Sequence, residues 1–199
     1  CALRAFQFSI SRPINRTLRT CSCTLFAASL ARAKADTPVD KTGVGPMRFL
    51  SEPSVEYGAV NVVSPLIRRV VAPNHGPFTY HGTGTYIVGH GDVAVIDPGP
   101  DIPSHVAALL AALGGERVSH ILVTHTHRDH SPAAAALKAA TGAPTHGFGP
   151  HAGGAGPAVE EGADHDFVPD RALGDGDVIA GAGWTMEAAH TPGHTSNHL

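Results

Sequence analysis

The order of apolar and polar positions divides the chain into a front segment without pattern and a patterned remainder. From Val70 onward short β-rich runs alternate with helical ones, the order expected of an α/β arrangement. "TYIVG" (85–89) and "VAVID" (93–97) flank "HGD", which reads as a hairpin turn with Gly91 able to take positive φ. Residues 102–113 place Val106, Leu109, Leu110 and Leu113 at i, i+3, i+4 and i+7, predicting a helix with one apolar face that Gly114-Gly115 stops. "SHILVT" (119–124) is a strand that runs directly into "HTHRDH" (125–130). "SPAAAALKAATG" (131–142) predicts a helix with Ser131 as N-cap, Pro132 at its first position and Gly142 as terminator. "PTHGF" (144–148) is a further strand, followed by a Gly/Ala/acid-rich connection through about Asp166. "LGDGDVI" (173–179) and "WTMEAAH" (184–190) then read as two strands joined around Gly181 and Gly183.

Residues 1–46 show no sustained period of 2 or 3.6. They hold seven Lys or Arg against Asp36 and Asp40, a net of +5, whereas residues 47–199 hold seven basic against fifteen acidic residues, a net of −8. Three readings of the front segment compete. It is translated sequence upstream of a true start at Met47, or a targeting segment, or an integral part of the fold. A targeting segment would be an acid-poor transit peptide, or the short apolar run "TLFAASLARAKA" with small residues at Ala31 and Ala33. Either of the first two makes residues 47–199 the folded domain. Location is then expected to be cytoplasmic, or organellar or exported if the segment is an address.

Composition narrows the chemistry. An apolar fraction of 42% suffices for a buried core. No apolar run approaches the ~18 residues of a membrane span, so no membrane partner is expected. The acidic balance of residues 47–199 disfavours a nucleic-acid partner and leaves a small molecule as the expected substrate. All three cysteines (Cys1, Cys21, Cys23) lie in the front segment, so a metal in the main domain must be held by nitrogen and oxygen.

Those ligands are concentrated in one place. His125, His127, Asp129 and His130 fall within six positions at a strand-to-helix turn, where α/β folds build sites on a rigid base. Neutral imidazoles and a carboxylate are the ligands of catalytic zinc. Alternate residues such as His125 and His127 can share one ion, and Asp129 and His130 can address a second. "HTPGHTSNHL" (190–199) supplies another cluster, in which Pro192-Gly193 forces a turn that presents His194 as the best third ligand. On spacing alone His190 or His198 could substitute, and His198 fits a supporting or substrate-side position better. The other histidines (75, 81, 90, 105, 120, 146, 151, 165) have no partner in sequence and read as surface or structural.

"HTHRDH", "TPGHT" about sixty residues later and "VAVIDPGP" upstream together resemble the metallo-β-lactamase-fold hydrolase superfamily and its H-x-H-x-D-H motif. The tract from "GPFTYHGTGTYIVG" through "HTPGHTSNH" is most similar to the branch containing β-lactamase-like protein 2, with glyoxalase II a more distant relative. The resemblance covers roughly residues 48–199 and implies an αββα sandwich of the α+β/α/β kind. It implies that His125, His127 and His194 bind one zinc and that Asp129 and His130 bind another, with iron or manganese as alternative ions. Asp97 matches a family aspartate that supports the metal loop, although spacing alone equally allows a turn or helix-capping role before Pro98-Gly99.

The family pattern also implies a bridging aspartate and a final histidine after His194, where five residues follow in this sequence. The expectation is therefore a domain whose carboxyl-terminal part lies outside it, and a second metal position with only Asp129 and His130. The activity implied for the complete protein is hydrolysis of an ester, thioester, amide or phosphodiester by a metal-bound hydroxide, with Asp129 orienting the attacking water. The alternatives are a mononuclear iron sulfur dioxygenase, which shares these histidines, and a catalytically inert truncated domain. Di-iron redox members carry Glu at the position of His127, so the motif favours zinc.

Overall fold

The computed structural model describes residues 55–150 and 162–199. The segment 1–46, its boundary at Met47, and His151 lie outside the described residues. Strands β1 (Val60–Ser64), β2 (Ile67–Val71), β3 (Gly84–His90) and β4 (Asp92–Ile96) pair antiparallel in succession. From β4 the sheet continues in parallel through β5 (Arg117–Leu122), β6 (Thr145–Gly147) and β7 (Arg171–Ala172), giving seven strands in sequential order. Parallel neighbours need crossovers. Helix α1 (Pro103–Leu113) supplies one between β4 and β5, and α2 (Ala133–Thr141) supplies the next, between β5 and β6. Strands β8 (Val178–Gly181) and β9 (Trp184–Glu187) form a separate antiparallel pair.

The two faces of the large sheet pack differently. Val70, Ile87, Val93, Val95, Ile121 and Val123 meet Leu109 and Leu113 of α1 and Leu137 of α2. On the other face Val88, Ala94, Ile96 and Leu122 meet Ile179 and Trp184 of the small sheet. These are α, β and β layers of the expected sandwich. Trp184 fits because two glycines leave room: a Cβ at Gly89 would lie 2.5 Å from its ring, and one at Gly181 2.4 Å from it. Its indole N–H donates to Asp92 O (2.9 Å), which satisfies the polar tip of a buried ring. No helix among the described residues is long and apolar enough to cross a membrane.

Most elements follow the sequence pattern, with instructive exceptions. α1 ends at Gly114 in the left-handed region (φ 58°) and α2 at Gly142 (φ 71°), as the glycine placement predicts. Ser131 is not the N-cap of α2. That position is Pro132, without a side-chain cap, while the Ser131 hydroxyl donates to Asp164 Oδ2 at 2.6 Å. Its proton goes to a carboxylate in a charge-assisted bond. The predicted strand 119–124 stops at Leu122, since Thr124 turns to bond Asp97. Of 173–179 only Val178 and Ile179 are strand, because the Asp177 carboxylate accepts from the Gly174 amide (2.7 Å) and closes a turn. The β1–β2 ribbon was not anticipated, since Arg68-Arg69 interrupts its apolar run. Arg68 is nevertheless accommodated by Glu116 at 2.6 Å.

Candidate metal centre

The carboxyl ends of β4, β5 and β6 and the loop after β9 meet at one edge of the sandwich. Asp97, immediately after β4, is buried and takes φ +50°, a conformation that costs a non-glycine residue energy unless its surroundings hold it. Here they do. The Asp97 amide donates to Leu122 O (2.8 Å), and its Oδ1 accepts from the Thr124 amide (2.8 Å). The Thr124 hydroxyl lies 2.9 Å from Oδ2, which also faces His130 Nδ1 at 3.0 Å. Asp97 therefore supports the histidine turn rather than merely capping a helix.

The same carboxylate sets the tautomer of His125. With its proton donated to Asp97, the Thr124 hydroxyl can only accept from His125 Nδ1, 3.0 Å away. Nδ1 then carries the hydrogen and Nε2 keeps its lone pair. Nε2 is buried and makes no hydrogen bond among the described residues, the arrangement of a nitrogen reserved for a metal. Burial, followed by the charge of His130, lowers the His125 pKa to about 3, so the imidazole is neutral at physiological pH as a ligand must be.

His125, His127 and His194 come together: one ligand atom from each lies within 4.8 Å of the others. The rings cross nearly edge to face, at centroid distances of 4.8 Å (His125–His127), 5.0 Å (His125–His194) and 4.7 Å (His127–His194). Three nitrogen donors match a zinc-type ion, and no cysteine lies among the described residues. The set thus fits the metal that the sequence motif implies.

Asp129 and His130 are arranged differently. His130 Nε2 lies 3.3 Å from Asp129 Oδ2 while Nδ1 faces Asp97. Burial opposes a charge on His130, but the Asp97 and Asp129 carboxylates outweigh it and raise its pKa to about 10. Burial likewise works against Asp129, yet the His130 contact brings it to about 2. His130 is therefore an imidazolium held between two carboxylates, and must lose a proton before it can ligate. Its ring stands 4.2 Å from that of His125. Among the described residues, the only cluster of three or more possible metal ligands is the histidine trio.

Neither alternative third ligand joins the trio. His190 stacks on Phe148 (4.1 Å) and its Nε2 lies 3.0 Å from Ser196 O. His198 stacks on His125 at 5.0 Å and pairs through Nδ1 with Thr191 Oγ1 (3.0 Å), a flanking position. His105 is structural, bound to Thr85 Oγ1 and Pro98 O at 3.1 Å each, as is buried His146, packed against His120 at 4.9 Å. Sequence reasoning missed Thr83, whose hydroxyl donates to Asp129 Oδ2 at 3.3 Å, together with Asp164 and Asn197. Thr124 and Thr126 carried the one available signal, since they alternate with the histidines in sequence.

A sandwich of this topology carries a three-histidine cluster at its strand ends that could hold a metal ion, and comparison with known proteins gives its family. The model of the metallo-beta-lactamase superfamily matches residues 79–199, and the chain belongs to that superfamily. An atrochrysone carboxyl ACP thioesterase, dmxR1, of Cryptosporiopsis sp. is 34% identical over 143 residues, covering 70% of this chain and 40% of that protein. Another atrochrysone carboxyl ACP thioesterase, AgnL7 of Paecilomyces divaricatus, is 30% identical over 94% of this chain and 50% of its own length. The chain thus spans half or less of these relatives, which do not single out the β-lactamase-like protein 2 branch. Among solved structures, a motif mutant of a metallo-beta-lactamase from Cronobacter sakazakii shares the fold, with TM-score 0.54, 22% identity, and coverage of 70% of this chain and 56% of that one.

Proposed function

We propose that this chain carries the first metal position of a zinc-dependent hydrolase whose substrate is a thioester. The observation that carries the reading is the histidine trio around a buried His125 Nε2 that has no hydrogen-bond partner among the described residues, with an ionised Asp129 nearby in the same turn. Thioester cleavage is favoured over ester, amide or phosphodiester cleavage by the likeness to ACP thioesterases. The substrate is a small acyl group on its carrier, and the acidic charge of residues 47–199 disfavours nucleic acid.

His125, His127 and His194 hold the ion. When bound, it supplies Lewis acidity and lowers the pKa of water towards 7. Asp129 orients the attacking water by accepting a hydrogen bond, and the Thr83 hydroxyl at 3.3 Å helps fix its carboxylate. A pKa of about 2 keeps Asp129 ionised but makes it a poor store for a proton, so orientation is its main task. Asp129 and, once it has lost its proton, His130 would offer two ligands towards a second ion.

The test is turnover of acyl-pantetheine thioesters by the full-length protein, with oxygen-ester and phosphodiester analogues alongside and the metal quantified. Metal-dependent thioester cleavage that disappears in His127→Ala is expected. Unchanged turnover in that variant, or bound iron with oxygen uptake, would refute the reading.

A further inference from the structure

The two segments that carry the histidine trio are far apart in sequence, and one buried side chain ties them together. Asn197, three residues after His194, donates through Nδ2 to Thr126 Oγ1 at 2.9 Å and to Gly149 O at 3.2 Å. Thr126 lies between His125 and His127. Both partners are almost fully buried, Asn197 at 3% exposure and Thr126 at 2%. The Gly149 carbonyl can only accept, which fixes the amide with its nitrogen on this side.

We infer that Asn197 is a positioning residue that sets the distance of His194 from His125 and His127 and thereby the geometry of the metal site. Simple packing does not account for it, because Asn197 Oδ1 is buried without a partner among the described residues. An apolar side chain would fill the space without that cost. The bond is placed where it matters. His194 sits on an exposed loop, whereas His125 is buried on a turn fixed by Asp97. The Leu199 amide adds a backbone tie to Thr124 O at 2.8 Å, so the loop is fastened at the two threonines that flank His125. Losing the Asn197 bond leaves His194 on a freer loop, and ordering that loop then opposes metal binding.

The inference rests on the histidine trio being the metal site. It is tested by zinc dissociation constants from chelator competition, and by the ligand-field spectrum of the cobalt-substituted full-length protein. Asn197→Ala and the isosteric Thr126→Val are each expected to weaken zinc binding by about 10–100-fold, the range for residues that orient ligands. The double variant should be no more than about threefold worse than the worse single one, since both remove the same bond. Thr126→Ser retains the hydroxyl and should restore both the affinity and the cobalt spectrum. Thermal melts of the chelator-treated variants identify any that fail to fold, and Thr126→Val and Thr126→Ser then decide the matter without Asn197→Ala. Zinc affinity unchanged in Thr126→Val, or single effects that multiply in the double variant, would overturn the positioning role alone. His194→Ala binding zinc as tightly as wild type would overturn the metal site and the positioning role together.

Discussion

The turn at 124–131 and the loop at 190–199 contribute to one site but are built in opposite ways. The turn springs from a central parallel strand, is braced by buried Asp97, and has its first histidine 5% exposed. It is further clamped from outside, by Arg128 N to Gly162 O (2.8 Å) and Asp164 N to Thr126 O (2.7 Å). The loop follows a short strand of the small sheet and leaves His194 exposed. Two members of the histidine trio are thus preset by the sheet, and the third is delivered by a segment that has to be fastened to them. Rigidity of this kind lowers the ordering cost of binding, and it is unequally shared.

That contrast can be broken at several points. The largest effect is expected from His125→Ala, which removes a preset member of the trio and should weaken zinc binding by more than about 100-fold, beyond the range for ligand-orienting residues. Chelator competition measures it. Trp184→Ala attacks the contact that seats the small sheet on Gly89 and should cost about 3–5 kcal/mol in denaturant unfolding, as large aromatic truncations in a core do. If the loop half depends on that seating, zinc affinity falls as well.

Asp97→Asn keeps the shape at the base of the turn but removes a charge from His130, and should weaken zinc binding by about 10–100-fold. It should also change the alkaline limb of the chelator-treated protein. The raised pKa of His130 gives stability that is full below about 6.5 and lost as pH rises through about 10. Wild type should therefore destabilise over that interval in urea titrations, and Asp97→Asn should do so far less. The smallest effect is expected at the surface pair Lys138–Asp170 (2.6 Å), which ties α2 to the segment ahead of β7. The Lys138 bond, followed by bonds from Thr145, lowers Asp170 from 3.8 to about 2. Its contribution is present above about pH 3.8 and lost as pH falls through about 2, and Asp170→Asn should flatten the acid limb slightly.

The preset half was the more legible one. "VAVID", "SHILVT" and the helix signals around "HTHRDH" placed β4, β5 and α2 because local periodicity and tertiary burial agree there. His194 was legible from its turn chemistry alone. What stayed hidden depends on contacts remote in sequence. Asn197 is one polar residue in a polar loop until it meets Thr126, and Ser131, which its position suggested as a cap, donates to Asp164. Arg68 could be read as belonging to a strand only with Glu116 in view. The pairing of His130 with Asp97 was equally invisible, since the motif shows a histidine in ligand spacing but not that two carboxylates hold it charged.

The central claim is that residues from both regions hold one ion. Equilibrium zinc dialysis of the full-length protein, comparing wild type with His194→Ala, tests it most directly. The account predicts tight zinc binding by wild type and loss of that binding by more than about 100-fold in the variant, with the chelator-treated proteins melting alike. Equal zinc retention by the two proteins would contradict it.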